Sequence, residues 1–312
     1  DAGGFALRRA LATKWNCELD ELVLGAGSNE LLYQLVLATC EPTDEVVSHK
    51  FGFLSYRLSA QVAGRPFVAA PATAALSCDV DALIAAFTPR TKLVVVGTPN
   101  NPTGSVISKA QLQRIIDALP ARALLVVDEA YAEYADAWPE IDHASGVDAM
   151  RTDPRVLVLR TFSKIYGLAG LRVGYAIANR AVAELLGRVT RTFNVGTLAQ
   201  VGAIAALEDT AHIAASAALA RQGIEQLRAA DFGAAKVLPS LGNFALIDCG
   251  RPSTDFYNQL LRKGVIVRPM AACSRRPACR RRRVRRCCRA RVCRVRSSVS
   301  RSRRATLRRC SR

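Results

Sequence analysis

Short apolar runs alternate with helix-period segments along most of this chain. Leu22–Leu24, Glu45–Val47, Leu93–Val96, Leu124–Val127, Val156–Leu159 and Val173–Ala178 are continuous or nearly continuous apolar stretches, the pattern of strands buried on both faces. Between them, Phe5–Lys14 and Leu31–Ala38 carry helical spacing, as does the segment running through Ala63. Ser108 and Gln111 have the spacing of a capping box and predict a helix from there to about Leu119. Such alternation predicts an α/β protein, a mostly parallel sheet covered by helices on both sides. Further helices are expected over Arg180–Arg188, Thr197–Leu207 and about His212–Arg228. Val237–Leu238, Phe244–Asp248 and Val265–Val267, with a helix over Ser253–Arg262, then predict a smaller α+β unit.

Composition changes this picture in one place. The net charge of +18 is carried by the last forty residues: 273–312 hold 18 arginines and no acid, whereas 1–272 hold 26 basic and 26 acidic side chains. The body is therefore neutral and carries no nucleic-acid footprint. The division expected is 1–21 as an N-terminal segment of the small unit and 22–211 as the large domain. The small C-terminal domain follows over 212–272, and 273–312 is an Arg/Cys-rich tail. Cys17, Cys40, Cys78 and Cys249 are widely spaced and suit reduced thiols, not a disulfide frame. Only three histidines occur, scattered, so no metal cluster is suggested, and no apolar run reaches the length of a membrane span.

Three of the apolar runs end in polar residues that carry chemistry. Leu93–Val96 is followed by Thr98-Pro99-Asn100-Asn101-Pro102-Thr103-Gly104, and Leu124–Val127 by Asp128-Glu129-Ala130-Tyr131. Val156–Leu159 leads into Arg160-Thr161-Phe162-Ser163-Lys164, with Arg172 eight residues beyond the lysine. Ligands of open parallel sheets bind beyond the carboxyl ends of the strands, so Asn101, Asp128, Tyr131 and Lys164 can share one site. A lysine set between hydroxyls suits a phosphorylated aldehyde: the amine forms a Schiff base, while Thr161, Ser163 and Arg172 bind phosphate. Taken alone, Lys164 reads first as a surface lysine in a glycine-rich turn; the two upstream stretches overturn that reading. Gly25-Ala26-Gly27-Ser28-Asn29-Glu30 opens a helix whose free N–H groups suit a phosphate, or whose Ser28 or Asn29 is a simple cap.

Together these motifs resemble the pyridoxal-phosphate aminotransferases of the aspartate aminotransferase fold (fold type I), and within them the histidinol-phosphate aminotransferases. The resemblance runs from residue 1 to about Ala272. It implies pyridoxal 5'-phosphate as cofactor, with Lys164 as its covalent anchor and as the group that moves the substrate's α-proton. Asp128 then pairs with the pyridine nitrogen, Asn101 and Tyr131 hold the ring hydroxyl oxygen, and Phe53 stacks on the ring, leaving Phe51 and Tyr56 as core. Ser28 and Asn29 join Thr161, Ser163 and Arg172 around the phosphate. The resemblance places Arg268 on the phosphate of the substrate; otherwise it is an exposed arginine at a strand end. It also implies amino transfer between L-histidinol phosphate and 2-oxoglutarate by a cytoplasmic homodimer. Aromatic amino-acid aminotransferases and cobalamin-pathway decarboxylases share much of the pattern.

The chain departs from that family at both ends. It begins at Asp1, after the family's N-terminal arm and the tyrosine that reaches a partner's cofactor phosphate, and on this reading looks like a fragment. After Arg268 the family's Leu-Arg-Ile strand, whose arginine takes the substrate carboxylate, gives way to the run from Cys273 to Arg312. An out-of-frame translation explains the abrupt onset and narrow vocabulary of that run; a chain so altered is expected to be a weak or inactive homologue. The reading from a different class is a nucleic-acid binder acting through its arginines, and Cys287 with Cys288 give a metal reading.

Overall fold

The apolar runs assemble into one seven-stranded sheet in a computed structural model that describes residues 3–270. Its strands are β1 (Leu22–Gly25), β2 (Glu45–His49), β3 (Phe67–Ala70), β4 (Thr91–Gly97), β5 (Leu124–Asp128), β6 (Val156–Thr161) and β7 (Gly174–Ile177). Their spatial order is β1-β7-β6-β5-β4-β2-β3. β2 to β6 pair in parallel, while β7 runs against both β6 and β1. Eleven α-helices lie among the described residues. In chain order they are α1 (Phe5–Trp15), α2 (Ser28–Thr39), α3 (Leu54–Val62), α4 (Val80–Ala85), α5 (Lys109–Asp117), α6 (Ala132–Ala135), α7 (Gly146–Thr152), α8 (Arg180–Val189), α9 (Thr197–Glu208), α10 (Thr210–Ala229) and α11 (Ser253–Leu261).

Strand periodicity sorts the core into faces. Leu93 and Val95 pack with Leu31, Leu35 and Leu186 of α2 and α8, while Val94 and Val96 pack with Leu112 and Ile115 of α5. A third cluster joins Leu7 and Leu11 of α1 to Val158, Phe162, Tyr175 and Ala203 of α9. All residues of β1, β2, β6 and β7 are buried, as expected of strands with helices on both sides. Ser108 and Gln111 form the capping box that starts α5.

Elements differ from expectation in a few places. The structure adds the edge strand β3 and the short helices α4, α6 and α7, whose four to seven residues carry too little periodicity to mark them in the sequence. Phe244–Asp248 contracts to a two-residue pairing, β9 (Ile247–Asp248) against β8 (Lys236–Val237). Val265–Val267 forms no strand, and Ile266 is 80% exposed. Among the described residues no neighbouring strand pairs with it, and an unpaired run does not hold β structure on its own. Through Pro269 the chain packs as one unit, with β1–β7 inside 22–211 and β8–β9 inside 212–272. The Arg/Cys-rich tail and its cysteine pair lie outside the described residues, as does the residue-1 start. Cys17, Cys40, Cys78 and Cys249 are free thiols. Among the described residues no helix is long and apolar enough to cross a membrane.

A buried ion network ties β5 to β6 beside the carboxyl ends of these strands. Arg160 on β6 donates from Nε and Nη2 to Glu129 Oε2 at 2.9 and 2.6 Å, and from Nη1 to Glu133 Oε1 at 3.1 Å. Glu129 also accepts the Gly146 N–H that begins α7, and the guanidinium lies 4.1 Å from the ring centre of Trp15 on α1. Burial opposes the charge on Arg160, but the two carboxylates more than offset it and hold its pKa above the ordinary value. Replacing Glu129 with Ala leaves a buried guanidinium short of its main partner and should cost about 3–5 kcal/mol in urea unfolding.

His49 closes β2 with 2% exposure, and its Nδ1 makes no hydrogen bond within the protein. Burial pushes its pKa down to about 4 from the usual 6.5, so the fold carries it neutral. Because the unfolded chain takes up that proton first, the stability His49 contributes is complete above pH 6.5 and is lost as pH falls towards 4. The loss should total roughly 3 kcal/mol. Urea unfolding of the wild type and His49→Gln at pH 7 and pH 4.5 checks this: the wild type should lose more over that interval.

Candidate active site

Register sets the site. Gly97 of β4, Asp128 of β5 and Leu159 of β6 are paired neighbours, so β4 and β5 end level with one another and β6 runs two residues further, to Thr161. Asn101 follows Gly97 by four residues, and Lys164 follows Leu159 by five. Their loops therefore converge on a cavity of about 260 Å³ beyond the strand ends. Ser28, Asn29, Phe53, Asn101, Asp128, Tyr131, Thr161, Ser163, Lys164 and Arg172 all line it. Arg268 does not: it is exposed and lies outside the lining residues.

One end of the cavity is built for an anion. α2 starts at Ser28 with Gly27 as its N-cap, no side chain caps it, and its first two residues, Ser28 and Asn29, line the cavity. Arg172 Nη2 donates to the Ala26 carbonyl at 3.2 Å, and Nη1 donates to Ser163 Oγ at 3.2 Å and to the Ala169 carbonyl at 3.0 Å. These bonds lay the guanidinium against the start of α2. Two glycines make that approach possible. A Cβ on Gly27 would sit 2.4 Å from Arg172 Nη2, and one on Gly174 would sit 2.2 Å from the Ser28 nitrogen. Backbone N–H groups, hydroxyls and a guanidinium thus meet at one point, the donor set a phosphate takes.

The other end carries a carboxylate. Asp128 closes β5; its Oδ1 accepts the Ala130 N–H at 3.2 Å and its Oδ2 accepts the Tyr56 O–H at 2.9 Å. Burial pushes the Asp128 carboxyl above its usual range, while the two hydrogen bonds and the nearby Lys164 ammonium pull the other way. A cationic ring placed against it would remove that penalty. Between the ends, Asn101 Nδ2 donates to the Tyr131 hydroxyl at 3.1 Å, and Lys164 Nζ lies 5.1 Å from the Tyr131 ring centre. Asn100 holds the Asn101 loop, donating to the Phe51 carbonyl at 2.9 Å and to Thr103 Oγ1 at 2.7 Å. Both X–Pro bonds of this loop, Thr98–Pro99 and Asn101–Pro102, are cis.

Tyr56, a core residue by its pattern, is also among the residues that line the cavity. It is 1% exposed, as a core residue should be, yet its hydroxyl bonds Asp128 at the cavity wall. The available signal was its offset from Phe53, since positions three apart at a helix start share a face.

Residues 3–294 match the family model for aminotransferases of class I and II. The chain belongs to this family. The match runs past Ala272 into the arginine-rich segment. The histidinol-phosphate aminotransferase of Anaeromyxobacter sp. (strain Fw109-5) is 43% identical over 274 residues, 87% of this chain and 74% of that protein. The enzyme of that name from Moorella thermoacetica is 41% identical, covering 86% of this chain and 69% of the relative. Among solved structures, the histidinol-phosphate aminotransferase of Sinorhizobium meliloti in complex with pyridoxal-5'-phosphate superposes with a TM-score of 0.79 at 29% identity. That match covers 86% of this chain and 73% of the other. A Thermus thermophilus aspartate aminotransferase mutant gives a TM-score of 0.74 at 28% identity, over 85% of this chain and 73% of that one.

For a class I and II aminotransferase the glycine cradle is directly testable. Gly27→Ala strains a residue at φ +84° and drives Arg172 from its seat. The dissociation constant for pyridoxal phosphate, read by absorbance titration, should rise about tenfold or more, because charge-assisted bonds are lost.

Proposed function

We propose that this chain, with pyridoxal 5'-phosphate as cofactor, transfers the amino group between L-histidinol phosphate and 2-oxoglutarate. The observation that carries the reading is one cavity holding a phosphate-type donor set, a free lysine and a buried carboxylate. The residues fit the cofactor at three points. The glycine cradle seats the Arg172 guanidinium against the start of α2, Asp128 sits where burial makes it seek a cation, and Lys164 lines the same cavity.

On this reading Ser28, Asn29, Thr161, Ser163 and Arg172 bind the phosphate. Asp128 faces the pyridine nitrogen and favours its protonated form. Asn101 and Tyr131, already bonded to each other, hold the ring hydroxyl oxygen, and Phe53 lies against the ring face. Pyridoxal phosphate, when bound, supplies an electron sink for the substrate's α-carbon. With the cofactor bound, Lys164 Nζ would hold its aldehyde and would serve as the base that moves the proton at the substrate's α-carbon. The 2-oxo acid accepts the amino group in the second half of the cycle. Arg268 is proposed for the donor's phosphate on its place in the sequence pattern alone.

A homodimer is the proposed assembly. Phe193, 75% exposed, and Leu198, 84% exposed, are apolar side chains that a second copy would cover. Cytoplasmic placement rests on the family resemblance.

Lys164→Ala should abolish the borohydride-reducible cofactor adduct and lower amino transfer at least a hundredfold to ten-thousandfold, the order a lost general base costs. Asp128→Ala should weaken cofactor binding and nearly remove turnover. Single-turnover assays with L-histidinol phosphate and with L-phenylalanine separate the proposed donor from the aromatic alternative: faster consumption of phenylalanine would overturn the donor assignment. An adduct retained in Lys164→Ala would overturn the assignment of the lysine.

A further inference from the structure

Tyr56 is the third residue of α3, and its ring is buried among apolar side chains of the sheet face that α2 and α3 cover. A buried phenol needs a hydrogen-bond partner. Here the partner is Asp128 Oδ2 at 2.9 Å, belonging to the only acidic residue among the described residues that line the cavity. Three neighbours fix the phenol. A Cβ on Gly97 would lie 2.8 Å from the Tyr56 hydroxyl oxygen, and one on Gly52 would lie 3.0 Å from Cδ2, so bare backbone meets the ring at both points. Phe53 packs edge-on, with ring centres 5.9 Å apart at 85°. The same short segment therefore brings Phe53 to the cavity wall and Tyr56 to the carboxylate.

We propose that Tyr56 is a positioning residue for the amino-transfer reaction: its O–H, together with the Ala130 N–H, locks the carboxylate of Asp128 in one orientation towards the cofactor ring. The inference rests on the reading of Asp128 as the partner of the pyridine nitrogen. Rigid placement matters because a carboxylate that must rotate or reload its proton loses part of its interaction with the cation. The groups facing Asp128 are Tyr56 from α3, Lys164 from the loop after β6, and Glu129 with the Ala130 N–H from its own segment. Lys164, the O–H and the N–H favour the carboxylate; burial and Glu129 oppose it. Removing the O–H therefore raises the Asp128 carboxyl further, and the acid limb of cofactor binding moves to higher pH.

The test is absorbance titration of the full chain with pyridoxal phosphate from pH 5 to 9, for wild type, Tyr56→Phe, Asp128→Asn and the double variant. Tyr56→Phe keeps the ring and should raise the dissociation constant about tenfold at pH 7, with the acid limb shifted up by about one pH unit. In the Asp128→Asn background the same change should add nothing, which a packing defect would not reproduce. Should Tyr56→Phe lack a cooperative thermal transition, Gly97→Ala displaces the phenol without removing it and should weaken binding in the same direction. If the wild type binds the cofactor and the folded variant matches its affinity and pH profile, the inference falls while the cofactor reading stands. A wild type that binds no pyridoxal phosphate overturns both.

Discussion

The pairing of Arg160 with Glu129 and Glu133 is the interaction on which the geometry of the site depends. A guanidinium 7% exposed between two strands is costly to desolvate, and two carboxylates with the Trp15 face are what offset that cost. Because Arg160 belongs to β6 and Glu129 follows Asp128 directly, the pair clamps the two strand ends from which Lys164 and Asp128 emerge. Glu129 also receives the first N–H of α7, and Trp15 donates from Nε1 to the Tyr175 hydroxyl at 2.9 Å. The network therefore binds β5, β6, β7, α1, α6 and α7 into one block beside the strand ends.

Beside that block the site separates two charges along its length. The Arg172 guanidinium stands where α2 begins, and the Asp128 carboxylate at the end of β5. A ligand with a phosphate at one end and a protonated ring nitrogen at the other meets both, and its own charges replace the hydration that the cavity removes. Glycines at 27 and 174 serve the first end by letting Arg172 and β7 come against backbone, and glycines at 52 and 97 serve the second by seating Tyr56. Backbone packing and side-chain chemistry are thus the same feature seen at two scales.

Much of this was legible in the residue pattern. Six apolar runs correspond to strands of the large sheet, and ten of the eleven side chains assigned to the site line one cavity. The eleventh, Arg268, follows a run that pattern alone predicts as strand but that is exposed loop. Among the described residues that run pairs with no strand, and pairing is a relation that local sequence does not encode. Tyr56 shows the opposite case: burial and aromatic character place it in the core, and only the meeting of α3 with the end of β5 gives its hydroxyl a task.

What the sequence by itself determined is the order and type of the main elements and the chemistry at the strand exits, because both are written in local spacing: apolar periodicity, helix caps, and polar residues following apolar runs. What only the tertiary structure decided is the strand order, in which β1 and β7 extend the sheet on one side and β2 and β3 on the other. It likewise decided the reversed direction of β7, the convergence of Ser28 with Arg172 across 144 residues of chain, and the Tyr56–Asp128 bond. Those relations arise from packing faces against one another, and a face has no neighbour until the chain has folded.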